Sequence, residues 1–468
     1  MQQRFVAGFG EYPPASLVQR GSDEWWMEYL AKKLGDRLPQ IHKNEQWLDG
    51  SPPIPWPDKG GNFQRLQKIA NLNYAEVITN ARLHRIKLLT FKTAVDASAD
   101  GDDEVNRIME GSDATNEYRR ALRWAVGLSA GYLITDHKMP EHGSEGGVRI
   151  SAEHPSQVIV EPNPSDPLRP LAALKIYRDD VADRDVVVLW RPGYQRIAIH
   201  PGGSILPHGT ARTWRIVPQL WQLSNDLWPL PVDYVPVVEL RPEDGKACFE
   251  QHIGSMERIN HTILQRMILI ALQAFRQRGL KGAPKHDQNG KEIDYEDIFE
   301  SDPGSFWILP AAVELWESGT TDITPVLNAV RDDIKHLGAV SNTPLHLLAP
   351  ESANESANGS ELKREGLVFE CEDLITEFRG PMKASMATAL RLVALADRAD
   401  EMSLRPVFAD PRRASLTERA ESARAAKDAG VPWRTRMEKF VQLDPQEIRD
   451  AELQRNEDML MEGMSLSG

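Results

Sequence analysis

Six apolar side chains, Met256, Ile259, Ile263, Met267, Ile270 and Ala274, recur in steps of three or four within residues 246–278. That spacing puts them on one stripe of a helix. Unbroken, the segment extends on the order of 50 Å at 1.5 Å per residue. It stops at "RGLKGAPK", where a small α+β insert (279–320) begins. The insert carries an Asn-Gly hairpin signal at Asn289-Gly290 and two candidate strands, in "SFWILP" and "AVELWES". A second amphipathic helix returns over 323–340, with Val326, Leu327, Val330, Ile334 and Leu337 on its apolar face. A third long helix is expected from Gly359-Ser360 to about Ala396, with Pro381 as a kink or break. Between the second and third lies "TPLHLLAPESANESAN" (343–358), which is longer than a chain reversal needs.

The flanking regions have different textures. Residues 16–48 read as a helix with an apolar and aromatic face of Trp25, Trp26, Tyr29, Leu30, Leu34 and Leu38. After a Pro/Gly loop (51–61), periodic apolar residues predict another helix over 62–89. "DASADGDDE" (96–104) lacks the register of a calcium loop and reads as a solvated turn. Residues 116–137 run from helix into strand. From 147 to 240, short β-branched runs alternate with Pro, Gly and Asp turns, the pattern of an antiparallel β region. A short extended piece (404–411) precedes a helical C-terminal part. There Gly430-Val-Pro reads as a helix stop and Asp444-Pro-Gln-Glu as a helix start. The fold class is α+β, mainly helical.

At 468 residues, the chain has room for several domains of roughly 100–200 residues each. Its 41% hydrophobic and 26% charged content is that of a globular protein. A net charge of −14 argues against gripping nucleic acid over the whole surface, which takes Lys and Arg to displace counterions. It suits a wall that nucleic acid must slide past. Cys248 and Cys371 are far apart, without zinc-type spacing, and read as buried or idle thiols of a reducing compartment. The N-terminal residues lack the apolar core of a signal peptide, and no apolar run approaches the ~18 residues of a membrane span. The expectation is an intracellular, soluble protein without membrane contact.

Catalytic motifs do not survive inspection. "GLSAG" (127–131) matches G-x-S-x-G in letters, but a nucleophile elbow needs strand, then Ser, then helix, and here the helix comes first. There is no Walker A motif and no H-E-x-x-H. His252 and His261, nine residues apart on one helix, point about 180° from each other. The carboxylates of Asp102 and Asp103 read as solvated, which makes them poor acids. Arg258, Arg266, Arg276, Arg278 and Lys281 form a positive strip that reads as a solvated polar face, with a nucleic-acid role as the alternative. No cofactor, metal or enzymatic activity is expected.

The order of elements carries a resemblance. A long helix, a small insert, a returning helix, a loose loop and a long kinked helix resemble, in sequence, the portal proteins of tailed double-stranded-DNA bacteriophages. Local sequence agrees. "EQWLDGSPPIP" with "LNYAEVITNARLHRIKLLTF" looks like that family's N-terminal region. "AVELWESGTTDITPVLNAVRDDIKHLGAVSNTPLHLL" looks like its clip-to-stem return. "ANGSELKREGLVFECEDLITEFRGPMKASMATALRLVAL" looks like its Ser-Gly-x-x-Leu-Lys-x-x-Glu pattern; Gly359-Ser360 are swapped, while Leu362, Lys363 and Glu365 keep their places.

The resemblance implies a structural homo-oligomeric ring, a dodecamer in most of the family, at the capsid portal vertex of the virion, assembled in the host cytoplasm. DNA passes through it without sequence specificity. Implied partners are the terminase large subunit, the major capsid and scaffolding proteins and a head-tail adaptor. It further implies a wing (1–245 with 397–415), stem helices (246–278 and 323–342), a clip (279–322), a tunnel loop (343–358) with its helix (359–396), and a crown (416–468). His346, Glu351, Asn354, Glu355, Asn358, Lys363 and Arg364 are then the DNA-channel residues. Two other classes are open on sequence alone. A capsid-associated adaptor or scaffold-like protein would form no ring with an axial hole. A metal-dependent nuclease or hydrolase with a scattered site would turn over substrate with Mg²⁺ or Mn²⁺.

Overall fold

The computed structural model describes residues 9–14, 17–54, 60–96, 101–138, 147–201, 218–274, 278–281, 286, 290, 292, 314–317, 322–349, 357–412, 416–443 and 445–465. Their elements are those of a mainly helical α+β protein, as the sequence predicts. Contacts divide the chain into two units: Met1–Pro53, Asn73–Gly254 and Leu337–Gly468 form the first, and Ile54–Leu72 with Ser255–His336 the second.

In the first unit, the predicted antiparallel region resolves into two sheets. The larger has the order β1(Phe9–Glu11), β9(Gln222–Pro229), β8(Tyr194–Pro201), β7(Arg184–Arg191), β6(Ala172–Asp179), β5(Val158–Glu161). The smaller runs β10(Val237–Leu240), β3(Gly131–Lys138), β4(Gly147–Glu153). The continuous run "DVVVLWR" of β7 is explained by burial on both faces. Val187 and Leu189 meet helix α1(Asp23–Leu48), while Val186, Val188 and Trp190 meet Tyr132 and Ile134 of β3 and Val237 of β10. On the far side of β3, Leu133 joins a core built by α5(Ala114–Leu128) and α9(Ala357–Leu392).

Helix α1 starts later than its periodicity implies, because the Ser22 side chain caps it by accepting from the Trp25 amide at 3.2 Å. Its core face is also turned. Leu30, Leu34 and Leu38 are buried as expected, but Met27 and Ala31 complete the stripe. Tyr29 is exposed and stacks on Trp25 at 5.1 Å. Trp25 and Tyr29 sit nearly half a turn from that stripe, so the leucines fix it.

The helix expected over 62–89 is two helices and a strand: α2(Gly61–Ala70), α3(Tyr74–Leu83) and β2(Leu88–Lys92). Asn73 makes the break. Its side chain accepts from the Glu76 amide at 3.2 Å and donates to the Leu48 carbonyl at 2.9 Å, offering the backbone a cap in place of another turn. The extended piece after α9 becomes β13(Arg405–Phe408), antiparallel to β2. Helix α9 runs through Pro381 without a break and ends at Leu392.

The acidic loop is corrected. Asp102 is fully buried. It caps α4(Asp103–Gly111) by accepting from the Glu104 amide at 2.9 Å, accepts from Thr93 Oγ1 at 2.6 Å, and pairs with Arg398. Gly101, at φ +77°, makes this possible, since a Cβ there would lie 2.1 Å from Thr90 Oγ1.

The C-terminal part holds α10(Leu416–Asp428), stopped before Gly430 at φ +79° as predicted. Then come α11(Trp433–Arg436), a π turn at Met437–Val441 and α12(Pro445–Ser465), whose start agrees with the Pro signal.

The second unit contains α2, residues Ser255–Ala274 of α6(Ile253–Ala274), the ribbon β11(Arg278–Lys281)–β12(Glu314–Glu317), and Thr324–His336 of α7(Thr324–Val340). Helix α6 is shorter than the predicted 246–278, beginning after a 3₁₀ turn at Glu250–His252. Met256, Ile259 and Ile263 of the stripe are buried together with Val330. The stripe then surfaces: Ile270 is 47% exposed. Arg258, placed on a solvated face by its spacing, is exposed but pairs with Asp333 at 3.0 Å. The β12 strand falls within "AVELWES", as predicted, while "SFWILP" lies outside the described residues. Gly290 takes φ +79° between the bridged residues His286 and Glu292, while Asn289 of the expected hairpin lies outside the described residues.

Candidate functional site

The segment 343–358 is held at its base by a turn whose chemistry is local. Helix α7 ends at Val340, and Asn342 takes the left-handed conformation at φ +47°, which Asn tolerates better than other side chains. The Thr343 amide donates back to the Gly338 carbonyl at 3.0 Å, the long bond of a Schellman cap. Ser341 and Thr343, both buried, share a hydroxyl bond at 3.0 Å. The chain then forms a short helix, α8(Leu345–Leu348). Gly338 admits this reversal, because a Cβ there would stand 3.2 Å from the Thr343 carbonyl oxygen and 3.3 Å from Leu348 Cδ1.

A buried arginine locks the turn to the rest of its unit. Arg82 of α3 donates from Nη1 to the Ile78 carbonyl and from Nη2 to the Ser341 carbonyl, each at 2.8 Å. The same Nη2 pairs with Glu370 of α9, and the other Glu370 oxygen accepts from Asn342 Nδ2 at 2.6 Å. One carboxylate therefore binds both the turn and its buried cation. Cys371, next along α9, is buried with its sulfur 3.9 Å from the Arg82 carbonyl, and burial pushes its thiol up to about 11. Burial, and then the Arg82 charge, hold His252 below the usual histidine range. These environments favour neutral, inert groups.

Of the seven channel residues expected from sequence, His346 alone has a described side chain. His346 is exposed on α8. Glu351, Asn354 and Glu355 lie outside the described residues. Asn358, Lys363 and Arg364 fall within the backbone of α9, which starts at Ala357; Gly359-Ser360 are thus inside the helix and do not cap it. Arg82, Glu370 and Asn342 were missed. Nothing local joins Arg82 to a carboxylate 288 positions away.

Ser129 of "GLSAG" takes φ +71° at the turn from α5 into β3, the helix-then-strand order expected. Among the described residues, no group of three or more His, Cys, Asp or Glu is placed to hold a metal ion, and no helix is long and apolar enough to cross a membrane.

No family model matches the chain, and no curated protein matches it. Among solved structures, one similar chain belongs to the neck of a native GTA particle computed with C12 symmetry. The likeness has a TM-score of 0.41 at 10% identity and covers 85% of this chain and 94% of that one.

Proposed function

We propose that the chain is the subunit of a portal-type ring at a bacteriophage capsid vertex. In this role it is the channel for double-stranded DNA and the attachment point of the tail, and it performs no catalysis. The observation that carries the reading is the order of elements. A long helix (Ile253–Ala274), a two-stranded ribbon (Arg278–Lys281 with Glu314–Glu317), a returning helix (Thr324–Val340), a capped break and a 36-residue helix (Ala357–Leu392) follow one another. The exposed end of the α6 stripe supports it, since apolar surface of this kind is covered in an assembly of copies.

On this reading, 246–278 and 323–342 are stem, 279–322 clip, 343–358 tunnel loop, 359–396 the tunnel/wing helix that follows it, 416–468 crown, and 1–245 with 397–415 wing. The loop carries Glu351 and Glu355 and no Lys or Arg, so it repels the phosphate backbone and DNA slides past without adhering. The motor is the separate terminase, in keeping with the missing Walker motif. Capsid, scaffolding and adaptor proteins are the other partners.

Electron microscopy of purified protein and of virions tests the ring: rings with an axial hole are expected, and virions without them refute the reading. Replacing Glu351 and Glu355 by Lys is expected to lower DNA packaging severalfold while rings still form. Unchanged packaging removes these two residues from the channel wall.

A further inference from the structure

A cleft of about 880 Å³ lies beside β13 in the first unit. Its titratable lining is Lys92, Arg379, Lys383, Arg405 and Lys439 against a single carboxylate, Glu438. Glu438 is already engaged by Lys92 at 3.5 Å, and Lys383 acts on Asp400 nearby. Arg379, Arg405 and Lys439 have no ion pair among the described residues, and all three are exposed. The same lining has apolar members, Phe408 and Met402, the latter 91% exposed. A surplus of four positive charges around an apolar floor is unusual in a chain of net charge −14. It asks for an acidic ligand that also carries apolar groups.

The chain has such a segment. Helix α12 contains six carboxylates and two arginines. Its inner side is tied down: Ile448 is buried, Glu452 reaches Arg434 at 3.7 Å, and Arg455 stands over the Trp433 ring at 5.1 Å. These residues recur at four and three positions and mark one face. On the opposite face lie Asp450, Leu453 and Glu457, all exposed, with Leu453 at 62%. Among the described residues, none of α12 lines the cleft in its own chain.

We propose that this cleft receives the outward face of α12 from a second copy of the chain, with Asp450 and Glu457 meeting the basic rim and Leu453 the apolar floor. The contact is head-to-tail, the kind that closes a ring when the rotation allows. A nucleic-acid backbone would satisfy the charge but leave the apolar floor uncovered. The inference rests on the ring reading above and names one of its joints.

The test uses the full chain. Ring assembly is followed by mass photometry against protein concentration, at low and high salt. Arg379→Glu with Arg405→Glu is expected to raise the assembly midpoint about tenfold at low salt, and so is Asp450→Arg with Glu457→Arg. Combining all four should return it to within about threefold of the parent. All these positions are exposed, so the monomer's thermal unfolding should not move. A second readout mixes Arg405→Cys and Glu457→Cys proteins under mild oxidation, and a disulfide-linked dimer is expected only in the mixture. Rings with an unchanged midpoint, or reversals that do not compensate, overturn the joint while leaving the ring intact. Failure of the parent protein to form rings in solution or in virions overturns the ring reading itself, and the joint with it. Charge-reversal-sensitive binding of a DNA duplex, with ring assembly unaffected, assigns the cleft to nucleic acid and also overturns the joint.

Discussion

Two sets of basic side chains in the first unit are handled in opposite ways. Arg82 is buried and meets a carboxylate and two carbonyl oxygens. Arg398 is only half-buried, but the carboxylate it meets, Asp102, is fully buried. Arg379 on α9, Arg405 on β13 and Lys439 on the π turn meet no carboxylate among the described residues. A cation removed from water must find its counter-charge inside the fold, because the desolvation cost is otherwise several kcal/mol. A cation left in water carries no such demand and is available to another chain. The first set fixes where loops leave the body; the second marks where a body can be approached.

The sharpest way to break this contrast is to orphan a buried charge. Glu370→Ala leaves Arg82 without its carboxylate and Asn342 without its acceptor, and is expected to cost about 3–5 kcal/mol by denaturant unfolding. In a double-mutant cycle, adding Arg82→Met should recover part of that loss; strict additivity would mean the pair does not couple. Asp102→Ala comes next, at about 2–3 kcal/mol, since it removes a helix cap and the Arg398 partner together. Gly338→Ala is the mildest, about 1 kcal/mol, as the Thr343 carbonyl and Leu348 must each yield a few tenths of an ångström. If that substitution is neutral, the reversal into α8 is looser than the cap implies.

The helices α1, α5, α6 and α7, and the antiparallel region, could be read from periodicity because packing faces repeat along the chain. Their ends were harder, since caps depend on single side chains such as Ser22 and Asn73. The two ion pairs were invisible. Asp102 reads as solvent-facing in "ADGDD", and only the return of the chain at Gly101 and the arrival of Arg398 from 296 positions away bury it. The candidate site was legible as a segment and not as an arrangement. The end of the apolar periodicity at 340 marked where the helix stops, whereas the residue that anchors the turn stands on α3.

The larger sheet also bears on how copies of this chain can meet. Its four inner strands each have eight residues, while the outermost strands, β1 and β5, have three and four. Short terminal strands offer little unpaired backbone for another chain to extend. A sheet bounded in this way is guarded against edge-on strand addition and the fibrous aggregation that follows from it. If copies meet as proposed above, their recognition is left to side chains, which, unlike backbone amides, can distinguish the correct neighbour from a wrong one.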